Sequence, residues 1–246
     1  MNILVAISKT PDTTAKITLN NGGNSIDESG MSFIMNPYDE WYALVKAIEL
    51  QEQLGGKVTI VHVGLSDSDT IIRKGLAIGA QDAIRVNANP ESSNFVAHQI
   101  SAIVESGSYD LVLLGKESID YNGSTVGAMV AELLDLPYVS YANHLEMEGD
   151  NIVLNREIEG GTEKCKSSLP LVVSAAKGLA EQRIPNMRGI MMAKSKPLQV
   201  VDPVPVSYGA QTVRYELPTE KSGVHLIPAD DMKELVRLLH EESKVI

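Results

Sequence analysis

Five short runs of apolar residues limit what this chain can become: 3–7 (ILVAI), 57–64 (KVTIVHVG), 83–86 (AIRV), 111–114 (LVLL) and 171–174 (LVVS). A run that is apolar on successive residues has no polar face to show to water, so it suits a strand covered on both sides, as in a parallel sheet. Between the first four lie segments with helical spacing, from Asp39 to about Leu54, through Ile71, Ile72, Leu76 and Ile78, and from about Ser93 to Ser106. Strands that alternate with helices of 10 to 15 residues predict an α/β fold, a doubly wound and mostly parallel sheet.

Punctuation residues agree with this reading. Asn36-Pro37 opens the first helix, Asp39 and Glu40 complement its dipole, and Gly55-Gly56 stops it. Between Lys16 and Phe33 the Asn and Gly residues predict a hairpin or irregular excursion. After Pro137 the period changes from 3.6 to 2, with turns at Gly149-Asp150 and Gly160-Gly161, which predicts an antiparallel flap added to the parallel sheet. From Lys177 to Pro197 no period holds, and Pro185, Gly189 and Pro197 argue against a helix. Prolines 203, 205, 218 and 228 then mark an extended C-terminal arm, closed by an amphipathic helix from Ala229 to Glu242. The expected division is residues 1–180, a ligand-binding α/β domain with its antiparallel flap, 181–197, an irregular loop, and 198–246, the arm and its helix.

The stretch from Leu111 to Pro137 is the candidate ligand site. It reads as strand, polar loop and helix, the helix carrying Val126, Met129, Val130, Leu133 and Leu134. Asn122 or Ser124 can cap that helix, whose first N–H groups have no intrahelical partner and favour an anion. Gly123, Ser124 and Gly127 are small enough to let a phosphate approach, and Ser124 and Thr125 carry hydroxyls. An ordinary βα corner has the same residues, so the spacing alone leaves both readings open. Ligands on doubly wound sheets sit at the strands' carboxyl ends, where the loops after Ala6, around Asn36, after Val63 and from Asp120 to Gly127 converge.

Composition removes several classes of function. The single cysteine, Cys165, excludes an internal disulfide and a multi-cysteine metal or iron–sulfur site, so any electrons handled here need an organic cofactor. A net charge of −11 argues against binding nucleic acid. No apolar run approaches the roughly 20 residues that span a bilayer, and MNILVAISK is too short for a signal peptide, so no membrane insertion and a cytoplasmic location are expected. The five histidines, at 62, 98, 144, 225 and 240, lack metal-pair spacing and are expected to be structural or surface residues. Against the acidic background, Arg183 to Lys196 holds four basic residues, no acidic one, and Ile184, Met187, Ile190, Met191 and Met192. There is no Walker pattern, no Ser-Gly-Gly-x-Asp loop and no nucleophile beside a base.

Several segments together resemble the beta subunit of the electron transfer flavoprotein family. The signature of its second half is matched by Arg156, Glu159, Gly160, Gly161, Glu163, Pro170 and Val172-Val173-Ser174, with Cys165 where the family has an aliphatic residue. LVAISKTPD, MNPYDE, IRKGLAIGA and LLGKESID also look like family segments. The resemblance implies a non-enzymatic electron carrier, a heterodimer whose alpha subunit holds the redox FAD. It implies a nucleotide in this chain, AMP or, in electron-bifurcating members, a second FAD, held by Ala6, Asn36, Val63, Gly64, Asp120, Asn122, Gly123, Ser124, Thr125, Val126 and Gly127. The AMP pattern, Asp then three residues then Asn-Gln-Thr, is met at Asp120 but followed here by Ser124-Thr125-Val126. The bifurcating run Asp-Gly-Asp-Thr-Ala-Gln-Val-Gly is matched only at Asp120, Val126 and Gly127.

The resemblance also implies that Met187, with Arg183, Arg188, Lys194 and Lys196 around it, enters acyl-CoA or other flavin dehydrogenases. Without it, Met187 packing on its own domain is the simpler reading. Glu163 resembles the residue that touches the alpha subunit's mobile flavin domain; otherwise it is a solvated turn residue. The reading from another class is a stand-alone hydrolase or sensor of the adenine nucleotide alpha hydrolase or universal-stress type, which has the same sheet but no need of a flap, a basic Met-rich segment and an arm.

Overall fold

The structure is a computed structural model and describes residues 1–20, 22–207, 212–219 and 223–246. Asn21 of the expected excursion and parts of the expected arm lie outside the described residues. The chain separates into two compact units, Met1–Ile17 with Asp27–Val213, and Thr18–Ile26 with Arg214–Ile246.

The first unit is built on one large sheet. Its strands are β1 (Asn2–Ala6), β4 (Lys57–Val63), β5 (Asp82–Val86), β6 (Leu111–Gly115), β7 (Tyr138–Glu148), β8 (Asn151–Ile158), β9 (Gly161–Ser168), β10 (Leu171–Ala175) and β11 (Leu198–Val201). A short antiparallel pair, β2 (Lys9–Pro11) with β3 (Phe33–Met35), stands beside it. The helices are α1 (Asp39–Leu54), α2 (Asp69–Ile78), α3 (Ser93–Ser106), α4 (Val126–Leu133) and α5 (Met187–Ala193). The strand order is β11-β5-β4-β1-β6-β10-β7-β8-β9, parallel from β11 to β7 and antiparallel across β7, β8 and β9. The flap is therefore a continuation of the main sheet.

The continuous apolar runs became the strands buried on both faces. Alternate residues of β1 divide between two cores: Ile3 and Val5 lie under α1 and α2 with Ile60, Leu111 and Leu113, while Leu4 and Ala6 lie under α3 and α4 with Val61, Val112 and Leu114. From β1 the chain steps outward to β4 and β5, then returns past β1 to β6. The carboxyl ends of β1 and β6 are thus the switch point, where successive connections part to opposite faces and leave a crevice.

Two expectations need correction. The segment 181–197 is not without helix, because α5 forms between Pro185 and Pro197 with the Asn186 side chain capping it by accepting from Gly189 N–H at 2.8 Å. Gly189 is there for closeness and not as a breaker: a Cβ on it would collide with the backbone oxygen of Ala77 on α2. The arm does not begin at 198 either. Leu198–Val201 zips onto β5 as the sheet's edge strand, and Gln99 of α3 then grips Val204, its amide donating to Val204 O (2.9 Å) and accepting from Val204 N–H (2.8 Å).

In the second unit Leu19 and Ile26 form an isolated bridge, and Tyr215 N–H donates to Gly23 O at 2.8 Å. Its helix α6 (Met232–Arg237) starts three residues later than expected, at an Asp231 cap, and continues as a π-type segment Leu238–Glu242. Among the described residues, no helix is long and apolar enough to cross a membrane.

Candidate functional site

The switch point is tied together by the residues of MNPYDE. Asn36 is fully buried, and its amide clamps the loop after β6, donating to Glu117 O (2.9 Å) and accepting from Ile119 N–H (3.0 Å). Four residues on, Glu40 is buried at the start of α1 and accepts both Ser8 N–H (2.6 Å) and the Ser8 hydroxyl (2.7 Å), which anchors the exit of β1. Burial pushes the Glu40 carboxyl up to about 8, against the pull of the Ser8 and Asn36 hydrogen bonds. Its neighbour Asp39 is pushed up to about 6, again chiefly by burial. These side chains bring Ala6, at the end of β1, next to the loop that follows β6.

That loop, residues 116–125, carries left-handed backbone at Asn122 (φ 49°) and Ser124 (φ 50°), a conformation that non-glycine residues adopt only when their surroundings enforce it. The expected cap is not made. Thr125 is the N-cap of α4, without a side-chain hydrogen bond, and the Ser124 hydroxyl instead donates to Glu117 Oε2 at 2.9 Å. The N–H groups of the first turn of α4 consequently remain without side-chain partners from the cap. Of the two glycines expected to admit a ligand, Gly123 is exposed and a Cβ there would meet Thr125 Oγ1 and Ser93 Oγ only at ordinary contact distance, 3.8 and 3.9 Å. Gly127 is small for an internal reason: a Cβ there would press on Tyr138 Oη at 2.9 Å and Leu114 at 3.1 Å.

Gly64 has a similar explanation. Its N–H donates to Val86 O (3.0 Å), its carbonyl accepts from Arg85 Nη1 (3.0 Å), and a Cβ would strike the His62 ring and Ser68 Oγ. Arg85, itself buried, also donates to Asn87 Oδ1 (2.7 Å); its Nε lies 2.8 Å from Asp69 Oδ1, an ion pair not aligned as a hydrogen bond. His62 is a core residue, as its lack of metal spacing suggested, with Nδ1 2.9 Å from Ile7 O. So the ends of β1, β4 and β6 do meet, with Val63–Gly64 on one side of Ala6 and Asp120–Gly127 on the other, but the Gly64 N–H and carbonyl are already engaged.

A cleft of about 480 Å³ opens beside the loop, lined by Tyr38, Asp39, Tyr42, Lys116, Glu117 and Ile119 among others. Tyr38 lies at its mouth, exposed and at φ 66°, and Lys116 stands 5.4 Å from the Tyr141 ring. Sequence reasoning took Asn36-Pro37 as the helix entry and did not single out Tyr38. The signal available was its place between Pro37 and the acidic pair, where the chain must turn into α1.

The basic segment lies elsewhere, on the outer surface of α1 and α2. Met187 is 74% exposed, and Ile184, Met191 and Met192 are exposed beside it. Of the four basic residues, Arg188 and Lys194 have no ion-pair partner among the described residues. Arg183 forms a two-pronged ion pair with Glu52 (2.8 and 2.9 Å), and its carbonyl accepts from the Trp41 indole (3.0 Å). Lys196 donates to Leu76 O (2.8 Å) and Ala80 O (2.5 Å), capping the carbonyl end of α2, while Arg73 donates to Ala193 O and Lys196 O. Expectation put Arg183 and Lys196 around Met187; long-range partners hold them both. Glu163 sits on the edge strand β9 opposite Arg156, whose Nε donates to it at 2.5 Å and whose Nη1 reaches Ser140 (3.0 Å). The Arg156–Glu163 part of the signature is thus a cross-strand ion pair on the β8–β9 hairpin.

An electron transfer flavoprotein domain matches residues 23–206, and the chain belongs to that family. Among its relatives the likeness is to one subunit. It is 36% identical to the electron transfer flavoprotein subunit beta of Bacillus subtilis and 32% identical to that of Bradyrhizobium diazoefficiens, each over the whole of both chains. To the human subunit beta it is 32% identical, over 94% of this chain and 95% of the other.

Proposed function

We propose that this chain is the beta subunit of a heterodimeric electron transfer flavoprotein, a carrier with no bond chemistry of its own. In this reading an alpha subunit holds the FAD that takes up and releases electrons, and flavin dehydrogenases, those acting on acyl-CoA or others, deliver them. The observation that carries the reading is full-length likeness to beta subunits in a chain whose exposed Met187 cluster is held on a scaffold of internal partners. Arg73 and Lys196 fix the backbone at the end of α5, and Arg183 fixes the start of the segment. An unbranched, polarisable side chain on a fixed base suits pockets of several shapes. Arg188 and Lys194 supply the positive charge that speeds encounter with an acidic rim.

The structural nucleotide of this reading is AMP. Gly123 is exposed and without a side chain, the first turn of α4 offers N–H groups, and the exposed Thr125 carries a hydroxyl, a donor set that suits a phosphate. Ala6 and Val63, small and apolar at the ends of adjacent strands, suit the flat face of a base. Asn36 serves by holding the loop, since both ends of its amide are engaged there. Coexpression with an alpha subunit tests the proposal: a yellow one-to-one complex supports it, and a stable lone chain that ignores the alpha subunit refutes it.

A further inference from the structure

Glu117 stands where the loop after β6 begins, and its carboxylate reaches a hydroxyl seven residues further along that loop. Its Oε2 accepts the Ser124 hydroxyl at 2.9 Å, and its Oε1 lies 3.2 Å from Lys116 Nζ. Burial pushes the carboxyl up, but the hydrogen bonds from Ser124 and Lys116, the Lys116 charge and the Asn122 amide outweigh it, so Glu117 is held below the usual carboxylate range and stays ionised. The Ser124 hydroxyl is a donor that an incoming phosphate would otherwise take. A hydroxyl has one proton to give, so Ser124 serves either the carboxylate or the phosphate. The two anions also repel each other at such a distance.

We propose that Glu117 is an internal competitor for the phosphate of the bound nucleotide, occupying the Ser124 hydroxyl until the phosphate displaces it towards Lys116. This rests on the reading of the loop as a nucleotide site. It predicts the sign of a substitution that a merely structural role would reverse. If Glu117 only braced the loop, changing it would weaken binding; as a competitor, losing its charge strengthens binding.

The test uses the full chain, freed of nucleotide and titrated by calorimetry with AMP and with adenosine. Charge-assisted hydrogen bonds are roughly twice as strong as neutral ones, so Glu117→Gln should tighten AMP about tenfold. Adenosine, which has no phosphate, should bind wild type and variant alike. In a Ser124→Ala background the gain from Glu117→Gln should shrink to about threefold or less, since the contested hydroxyl is gone. Equal thermal melting confirms that the variants fold. Wild-type binding of AMP that is unchanged or weakened by Glu117→Gln overturns the proposal alone, as does weakened adenosine binding, which would put Glu117 on the ribose. If neither protein binds AMP, the nucleotide reading itself falls, and this inference with it.

Discussion

Replacing Glu40 by glutamine removes a proton-binding group from the switch point while keeping its shape, and the consequence can be worked out. The carboxyl is pushed from 4.5 to about 8, first by burial, with the charge of Asp120 adding and the Ser8 and Asn36 hydrogen bonds subtracting. Between those two values the folded chain keeps a proton that the unfolded chain has released. Stability is therefore fully present below about pH 4.5, falls as pH rises through the window, and is flat again above pH 8. A gap of about 3.5 pH units at about 1.36 kcal/mol each is about 5 kcal/mol in total, of which roughly 3 kcal/mol falls between pH 5 and pH 8. Glutamine mimics the protonated acid: its oxygen accepts Ser8 N–H, and its amide donates to the Ser8 hydroxyl. Urea denaturation at pH 5 and pH 8 should show wild type losing about 3 kcal/mol more than Glu40→Gln over that range. Asp39, pushed up to about 6, affects both proteins alike and cancels in the difference. Parallel pH profiles for the two proteins would refute the reasoning, because they would mean that Glu40 is ionised in the folded chain at neutral pH.

Two further outcomes follow from the same contacts. Asn36→Ala strands the carbonyl of Glu117 and the N–H of Ile119, and should lower stability by about 2–4 kcal/mol with faster hydrogen exchange at Ile119; unaltered exchange there would show that the clamp is dispensable. Met187→Ala removes an exposed side chain, so the melting temperature should hold while reduction by a flavin dehydrogenase at limiting concentration weakens by roughly thirtyfold, the effect of about 2 kcal/mol lost at a hot spot. Unchanged reduction kinetics would remove Met187 from the docking surface.

The elements of the α/β half were legible because each has its own local signature. α3 runs over the range its pattern predicted, with Ser92 capping it through Phe95 N–H at 3.1 Å, and α1 ends at Gly55 with φ 73°. What the sequence concealed was the partner of each side chain. Nothing local distinguishes Lys196, which caps α2 120 residues away, from Lys194, which is exposed. The small residues show the same limit. Gly64, Gly123 and Gly127 look equivalent in the chain, yet two are small because His62 and Tyr138 press on them, whereas a Cβ at Gly123 would meet its neighbours only at ordinary contact distance. The insertion of β10 between β6 and β7 is equally silent, since strand order depends on pairings across long separations. Even the capping prediction failed through a distant partner, Glu117 drawing off the Ser124 hydroxyl.

The nucleotide content of the proposed heterodimer decides between AMP and a second flavin in this chain. The chain coexpressed with an alpha subunit is purified, denatured and cleared of protein, and the released nucleotides are separated by chromatography and quantified against the protein. The account predicts one FAD and one AMP per heterodimer. Two FAD and no AMP would contradict it by placing a second flavin at the β1–β6 switch point, and one FAD with no other nucleotide would contradict it by leaving that crevice without its ligand.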